Sequence, residues 1–125
     1  MGRASDLLKN LRVAMSRLDA QDKRSLGWNE FINAPADTED AVELAEWAID
    51  ACCFDEDGDW RNCPWFFTYL VLFVSAETED QATRQPKHIP SKSSLESVIG
   101  IVQGGRANLP RVKAWFEAEF RPFLP

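Results

Sequence analysis

The sequence predicts an all-α protein, an irregular bundle of five or six helices around a central hydrophobic helix at residues 64–76. That segment, PWFFTYLVLFVSA, contains no charged residue, and amphipathic segments with apolar residues at helical spacing lie on both sides of it. Strand is the competing interpretation, because Phe, Tyr and Val favour strands, but the length of the run and the lack of a second convincing strand favour helix. The run is too short to span a bilayer, which takes about 20 apolar residues.

The composition is typical of one acidic globular domain covering residues 1–125. Hydrophobic residues make up 45% of the chain, and five Trp and eight Phe supply an aromatic-rich core that needs no disulfides. The net charge of −6 argues against direct binding to nucleic acid or to an anionic membrane. Three cysteines, two of them adjacent, favour reduced thiols in the cytoplasm, and the first ten residues show no export signal or anchor.

The charge is distributed unevenly along the chain. Residues 1–25 carry six basic and three acidic side chains, a net charge of +3, and residues 81–125 carry seven basic and three acidic ones, a net charge of +4. Residues 26–80 carry fourteen acidic side chains and one basic, a net charge of −13. Two interpretations follow: the basic ends fold back onto the acidic middle, or an acidic face stays open for a basic partner.

Two helical segments are predicted before residue 35. Ser5 is the expected cap of a helix from Asp6 to about Asp19. Its apolar stripe consists of Leu8, Leu11, Met15 and Leu18. Trp28, Phe31 and Ile32 then predict one short helical turn whose aromatic rings tuck under the core, or alternatively leave Trp28 facing a partner.

An acidic helix is predicted from a cap at Asp37 or Thr38 to about Phe54. Apolar residues share one broad face: Val42, Ala45, Ala48, Ile49 and Cys52. Carboxylates form a stripe on the other side: Glu39, Glu43, Glu46 and Asp50. Trp47 falls near the stripe, where it is either an exposed interface anchor or a side chain covered by a terminal helix.

The next segment, FDEDGDWRN at residues 54–62, is predicted to be an acidic loop. Three alternating aspartates suggest calcium ligands: Asp55, Asp57 and Asp59. An EF-hand loop beginning at Asp55 requires Gly at its sixth position and Glu at its twelfth, where this chain has Trp60 and Phe66. We therefore expect a solvated turn and no metal.

Capping residues are predicted for each later helix. They are Asn62 with Pro64 for the central helix, Thr78 with Gln81 for a short extra helix, Ser93 with Glu96 for the next, and Asn108 with Pro110 for the last. The last two helices carry apolar stripes, Leu95, Val98, Ile99 and Val102 in one and Leu109, Val112, Phe116 and Phe120 in the other. Gly104 and Gly105 should end the first of these two, and Phe123 and Leu124 should tuck back onto the core.

Residues with catalytic chemistry are few. His88 is the single histidine, and Cys52, Cys53 and Cys63 all lie in or near apolar segments, where buried structural thiols are the usual case. Zinc binding by three cysteines and His88 has the right count of ligands, but no C-x-x-C pair supports it. No phosphate-binding glycine motif is present. We expect no enzymatic activity, no cofactor and no metal.

The expected function is that of a small acidic cytoplasmic protein that binds and neutralises a basic protein partner, as an immunity protein, an antitoxin or an inhibitor of a nucleic-acid-acting toxin or enzyme. Carboxylates steer such a protein to a basic target and occupy sites built for phosphate. The predicted partner-binding residues are Glu39, Glu43, Glu46, Trp47, Asp50, Asp55, Glu56, Asp57, Asp59 and Trp60. One alternative is a structural or adaptor module that oligomerises through exposed aromatics, and another is an enzyme or metal site using Cys63 and His88.

Overall fold

The computed structural model describes residues 40–61 and 64–124, and within these ranges the chain forms four α-helices and no strand. The helices are α1 (Ala41–Cys52), α2 (Pro64–Ala76), α3 (Lys92–Val102) and α4 (Leu109–Phe120). Short 3-10 turns at Arg106–Asn108 and Arg121–Phe123 flank α4. The all-α class is confirmed for these residues. The count of five or six helices depends on the predicted segments 6–19 and 28–32, which lie outside the described residues.

The central hydrophobic segment is the helix that the sequence predicts. Helix α2 begins at Pro64, a residue suited to the first turn because that turn needs no N–H from it. The side chains predicted to be buried in it are all buried: Phe66, Phe67, Leu70, Phe73 and Val74. Its backbone hydrogen bonds are therefore made locally, and no second strand is needed to satisfy them.

Helix α1 begins later than predicted, because its cap is Asp40 and not Asp37 or Thr38. The Asp40 carboxylate accepts hydrogen bonds from the backbone N–H groups of Val42 and Glu43, at 2.9 and 3.1 Å. Packing against both α2 and α4 gives α1 a wider buried face than predicted. That face includes Leu44, which the sequence analysis left out of the stripe.

Aromatic rings join the helices at the centre of the core. The rings of Phe67 in α2 and Phe116 in α4 meet edge to face with their centroids 5.9 Å apart. Phe116 also stacks on Phe120 one turn later. Helix α4 packs against α1 and α3, so it is the element that connects the two halves of the described structure.

Two predicted capping boxes are wrong. Thr78 does not begin a helix, because its buried hydroxyl donates to the carbonyl of Ser75 and accepts from the N–H of His88. The segment after α2 is instead a turn closed by a bridge between Glu79 and Pro86. At α3 the cap is Ser91, which accepts from the N–H of Ser94, and not Ser93.

The junction between α3 and α4 follows the prediction in position but not in capping chemistry. Helix α3 ends at Val102, just before the two glycines, and Gly105 takes a φ of +108° that favours glycine. Asn108 precedes α4, but its side chain makes no cap bond and instead donates to the Ile101 carbonyl at 3.0 Å. None of the helices described here combines the length and apolar character required to cross a membrane.

Candidate functional site

Two carboxylates of the acidic stripe of α1, together with the cap Asp40, face cations from the C-terminal part of the chain. Three ion pairs run along the contact, and their partners are Asp40 with Arg121, Glu46 with Lys113, and Asp50 with Arg106. Residue numbers rise along α1 while they fall along α4, so the two helices run antiparallel. The sequence had left open whether the basic ends cover the acidic middle, and for these three carboxylates the C-terminal end does.

Arg121 makes the strongest of these contacts, because it binds two carboxylates at once. Its guanidinium makes two hydrogen bonds to Asp40 and two to Glu117, one turn earlier in α4. Burial raises the pKa of Asp40, but the hydrogen bonds from Arg121 and from the α1 backbone outweigh burial and leave that pKa below its ordinary value. The hydrogen bond from Arg121 likewise lowers the pKa of Glu117.

The other two pairs are more exposed to water. Lys113 Nζ lies 3.2 Å from Glu46 Oε2, and Arg106 Nη2 lies 2.7 Å from Asp50 Oδ1. The hydrogen bond with Glu46 raises the pKa of Lys113. Such exposed pairs contribute little to stability, but they cancel much of the negative charge that the stripe would otherwise present to a partner.

The acidic loop after α1 is a tight turn held by its own first aspartate. One oxygen of the Asp55 carboxylate accepts from the backbone N–H groups of Asp57 and Asp59, both at 2.9 Å. Gly58 sits between them with a φ of +82°, which favours glycine. These hydrogen bonds occupy one oxygen of Asp55, whereas the side chains of Asp57 and Asp59 are both exposed to solvent.

The loop is also fixed to the rest of the structure. The Gly58 carbonyl accepts a hydrogen bond of 2.8 Å from the N–H of Arg106, at the α3–α4 junction. The same carbonyl lies so close to Gly105 that a side chain there would sit 3.2 Å from it. Trp60 forms an antiparallel bridge with Phe54, and its ring packs edge to face on Phe54 and Phe67. The carboxylates of the loop are therefore presented on a supported backbone.

The carboxylates of the loop form one exposed acidic surface, which we call the acidic loop surface. It consists of Asp55, Glu56, Asp57 and Asp59, all of them exposed. Glu43 is exposed as well, but it lies in the first turn of α1, at the opposite end of that helix from the loop. Oxygen atoms of the three aspartates come within 4.8 Å of one another, the spacing that a metal ion requires. Exposed acidic groups often cluster in this way without an ion, so the spacing alone does not define a metal site.

Two predicted site residues, Trp47 and Trp60, turn toward the core, and a third is not described. Trp47 is half-buried and packs against the hydrophobic core. Trp60 is also half-buried, and its ring faces the core in the contacts described above. Glu39 lies outside the described residues. The structure therefore brings together the loop carboxylates, leaves Glu43 apart from them at the start of α1, and assigns Glu46 and Asp50 to ion pairs within the chain.

A second polar cluster links His88 to α3 and α4, and the sequence analysis did not anticipate it. His88 Nε2 lies 2.7 Å from Glu119, whose other oxygen accepts from the Ser94 hydroxyl, and Ser94 in turn accepts from the indole N–H of Trp115 at 3.0 Å. The imidazole also stacks on Phe123, with centroids 4.6 Å apart. Burial raises the pKa of Glu119, but the hydrogen bonds from Ser94 and His88 outweigh it and lower that pKa.

This cluster lacks the order of a nucleophilic triad. In a triad the imidazole accepts the hydroxyl proton, whereas here Ser94 and His88 both bond to the carboxylate of Glu119. Cys52 and Cys53 are buried thiols in the core, as predicted. Cys63 lies outside the described residues, so the pairing of Cys63 with His88 stays a prediction.

Comparisons with known protein families, with curated proteins and with solved structures found no match to this chain. The geometry described above is therefore the basis for any functional assignment.

Proposed function

We propose that this chain is a small acidic cytoplasmic protein that binds a basic protein and neutralises it, in the manner of an immunity protein, an antitoxin or an inhibitor of a nucleic-acid-acting enzyme. The observation that carries the proposal is the acidic loop surface, four exposed carboxylates on a loop that is held to the helical core by backbone hydrogen bonds and by the packing of Trp60. A net charge of −6 adds a long-range attraction to any cationic partner.

Ion pairs within the chain reduce the number of carboxylates that a partner can bind directly. Asp40, Glu46 and Asp50 already bind cations of the C-terminal segment, so a partner would have to displace those cations to use them. The loop carboxylates require no such exchange. Because Asp55 holds the turn, Asp57 and Asp59 are available at a fixed spacing to meet the lysines or arginines of a site that binds phosphate.

Support for the adaptor alternative is weaker in the part of the chain that the structure describes. An adaptor that oligomerises through exposed aromatics requires several such rings on its surface. Of the described aromatic side chains, Tyr69 is the one classed as exposed, and most of the others contribute to the core. We therefore rank the neutralising function ahead of the adaptor function.

The test begins with the partner. The full chain is cross-linked in its native cells with a reagent that joins carboxylates to lysines, and the protein attached to residues 55–59 is identified and purified. Its association rate with the chain is then measured at 50 and 500 mM salt. We expect the partner to be basic, the association rate to fall at least tenfold at the higher salt, and the partner's own activity to be inhibited in the complex. A partner whose association is insensitive to salt, or whose activity is unaffected, would argue against this function.

A further inference from the structure

We propose that Gly105 and Arg106, at the junction between α3 and α4, are positioning residues for the acidic loop surface. Neither residue carries a carboxylate. They hold the turn at Gly58 from outside the loop, so that the placement of the loop carboxylates depends on the junction. The consequence for partner binding rests on the proposed function, whereas the coupling between loop and junction is a property of the free chain.

Arg106 contacts both the turn and the helix that precedes it. Its backbone N–H donates a hydrogen bond of 2.8 Å to the Gly58 carbonyl, in the middle of the loop. Its side chain reaches the last turns of α1, where Nη2 lies 2.7 Å from Asp50 Oδ1. The ion pair is exposed to water and contributes little by itself. The backbone hydrogen bond is therefore the contact that we expect to fix the turn.

Gly105 allows the two backbones to approach this closely. It is buried, and its φ of +108° with a ψ of 175° is a combination that essentially only glycine adopts. A Cβ atom at this position would lie 3.2 Å from the Gly58 carbonyl oxygen, which is closer than most contacts of a Cβ atom. An alanine would therefore be strained in its own backbone and would also press on the carbonyl that Arg106 binds.

The junction itself is held on both sides by hydrogen bonds. The Gly105 N–H donates to the Val102 carbonyl at 3.1 Å, and the Gly105 carbonyl accepts from the Asn108 N–H at 3.0 Å. The Asn108 side chain donates to the Ile101 carbonyl, also at 3.0 Å. We therefore expect a side chain at position 105 to displace Gly58, and not the end of α3.

A displacement of Gly58 would reach the carboxylates, because the same turn holds them. The Gly58 N–H donates to the Asp55 carbonyl at 3.0 Å, and the Asp55 N–H donates to the Asp59 carbonyl at 2.9 Å. The Asp55 carboxylate accepts from the N–H groups of Asp57 and Asp59. Moving one peptide of this closed set of hydrogen bonds changes the positions of its neighbours.

The first experiment measures amide hydrogen exchange in the full chain by NMR. Gly105→Ala should raise the exchange rates of the Asp57 and Asp59 amides by roughly tenfold or more. Gly100→Ala is the matched control, because a Cβ atom at Gly100 meets nothing within 4 Å, and it should leave those rates unchanged. The slowest amides of α4 report global unfolding, and they correct the comparison for any loss of overall stability.

The second experiment perturbs the loop and reads the junction, so it does not depend on the folding of Gly105→Ala. Asp55→Ala should raise the exchange rate of the Arg106 amide by roughly tenfold or more. Asp57→Ala is its control, because it removes an exposed carboxylate of the same loop but keeps the hydrogen bonds that Asp55 accepts. Wild-type exchange of the Arg106 amide in Asp55→Ala would overturn the proposal, and so would wild-type exchange of the loop amides in folded Gly105→Ala.

The binding consequence is measured with the purified basic protein that is cross-linked to residues 55–59. Gly105→Ala should weaken its binding roughly fivefold or more, because the carboxylates are displaced, and Gly100→Ala should not. Asp57→Lys is measured beside them as a report on the proposed function. Weaker binding of Asp57→Lys with unchanged binding of Gly105→Ala would overturn the positioning role alone. Unchanged binding of both variants would overturn the positioning role together with the proposed function.

Discussion

Asp40 has two roles, and its replacement tests how much each role contributes to the stability of the fold. The carboxylate caps α1 through the N–H groups of Val42 and Glu43, and it also binds the Arg121 guanidinium. Asp40→Ala removes both interactions. Asp40→Asn keeps a good cap but removes the negative charge, so comparing the two variants separates capping from ion pairing.

The expected magnitudes follow from these contacts. Loss of an aspartate cap costs about 0.5–2 kcal/mol. The ion pair is only partly shielded, with 41% of the Arg121 side chain and 29% of the Asp40 side chain exposed. Its contribution is therefore in the range of exposed pairs, about 0.2–1 kcal/mol. We expect Asp40→Ala to lower the free energy of unfolding by about 1–3 kcal/mol and Asp40→Asn by less than about 1 kcal/mol.

The assay is urea unfolding followed by circular dichroism, at pH 7 and at steps down to pH 3. Because the pKa of Asp40 in the folded chain lies below its ordinary value, its charge-dependent stabilisation is present above the unfolded pKa of about 3.9. That stabilisation is lost as pH falls through the folded pKa, so the wild type and Asp40→Asn should converge in acid. Equal losses for the alanine and asparagine variants at pH 7 would refute the capping role.

Three further predictions concern the core and the second polar cluster. Leu70→Ala should lower the free energy of unfolding by about 2–5 kcal/mol, measured in urea, and a loss below 1 kcal/mol would contradict its central position. Glu119→Gln should lower the free energy of unfolding more at pH 7 than at pH 3. The pKa of Glu119 is lowered in the folded chain, so its charge stabilises the fold above about pH 4.3 and this stabilisation is lost in acid. A decrease in the free energy of unfolding that is the same at both pH values would contradict this. Thiol titration without reductant should find three thiols in denaturant, and Cys52 and Cys53 should react slowly in the native chain; a count of one would indicate a disulfide.

The helices and the core were largely predictable because many apolar residues repeat at helical spacing, and each of them indicates the same buried face. The run around Leu70 has no charged residue to expose, so almost any amphipathic arrangement of its neighbours buries it. Val112, Phe116 and Phe120 recur at helical spacing and are all buried. Periodic burial of this kind depends on local spacing and requires no knowledge of which helix packs against which.

Caps and charge pairs were harder to predict because distant residues decide them. Several Asp, Ser and Thr residues stand near the starts of α1 and α3, and each is a competent cap by type. Asp40 is also held by Arg121, 81 positions away in the sequence, which the local pattern does not reveal. Thr78 is a suitable cap by residue type, but its hydroxyl donates to the carbonyl of Ser75 at the end of α2, where the chain forms a turn and not a new helix.

One signal for the ion pairs was present in the sequence. Arg106, Lys113 and Arg121 are spaced seven and eight residues apart, which places them on one side of a helical segment. Such a row of cations is suited to an acidic helix running antiparallel beside it. The composition showed the basic C-terminal segment, but only the packing of α4 on α1 shows which carboxylates it reaches.

The central claim is that the acidic loop surface binds a basic partner. Of the predicted contact residues, Glu46 is unsuited to a charge-reversal test, because reversing it would also break its pair with Lys113. Glu56→Lys with Asp57→Lys avoids this loss and leaves Asp55 to hold the turn. The matched control is Glu79→Lys with Glu96→Lys, because it reverses two exposed carboxylates outside the loop surface and changes the net charge by the same amount. The contact of Glu96 with Lys92 that it removes spans 4.0 Å between highly exposed side chains and contributes little to stability.

The decisive measurement is the affinity of these two folded double variants for the purified cross-linked partner, determined by binding kinetics at physiological salt. We predict at least tenfold weaker binding for Glu56→Lys with Asp57→Lys and less than threefold for the control, since close interfacial charge pairs are worth more than about 1 kcal/mol each. Equal weakening in both variants would show that only the net charge matters. Unchanged affinity in the first variant would show that the acidic loop surface is hydrated by solvent and does not bind the partner.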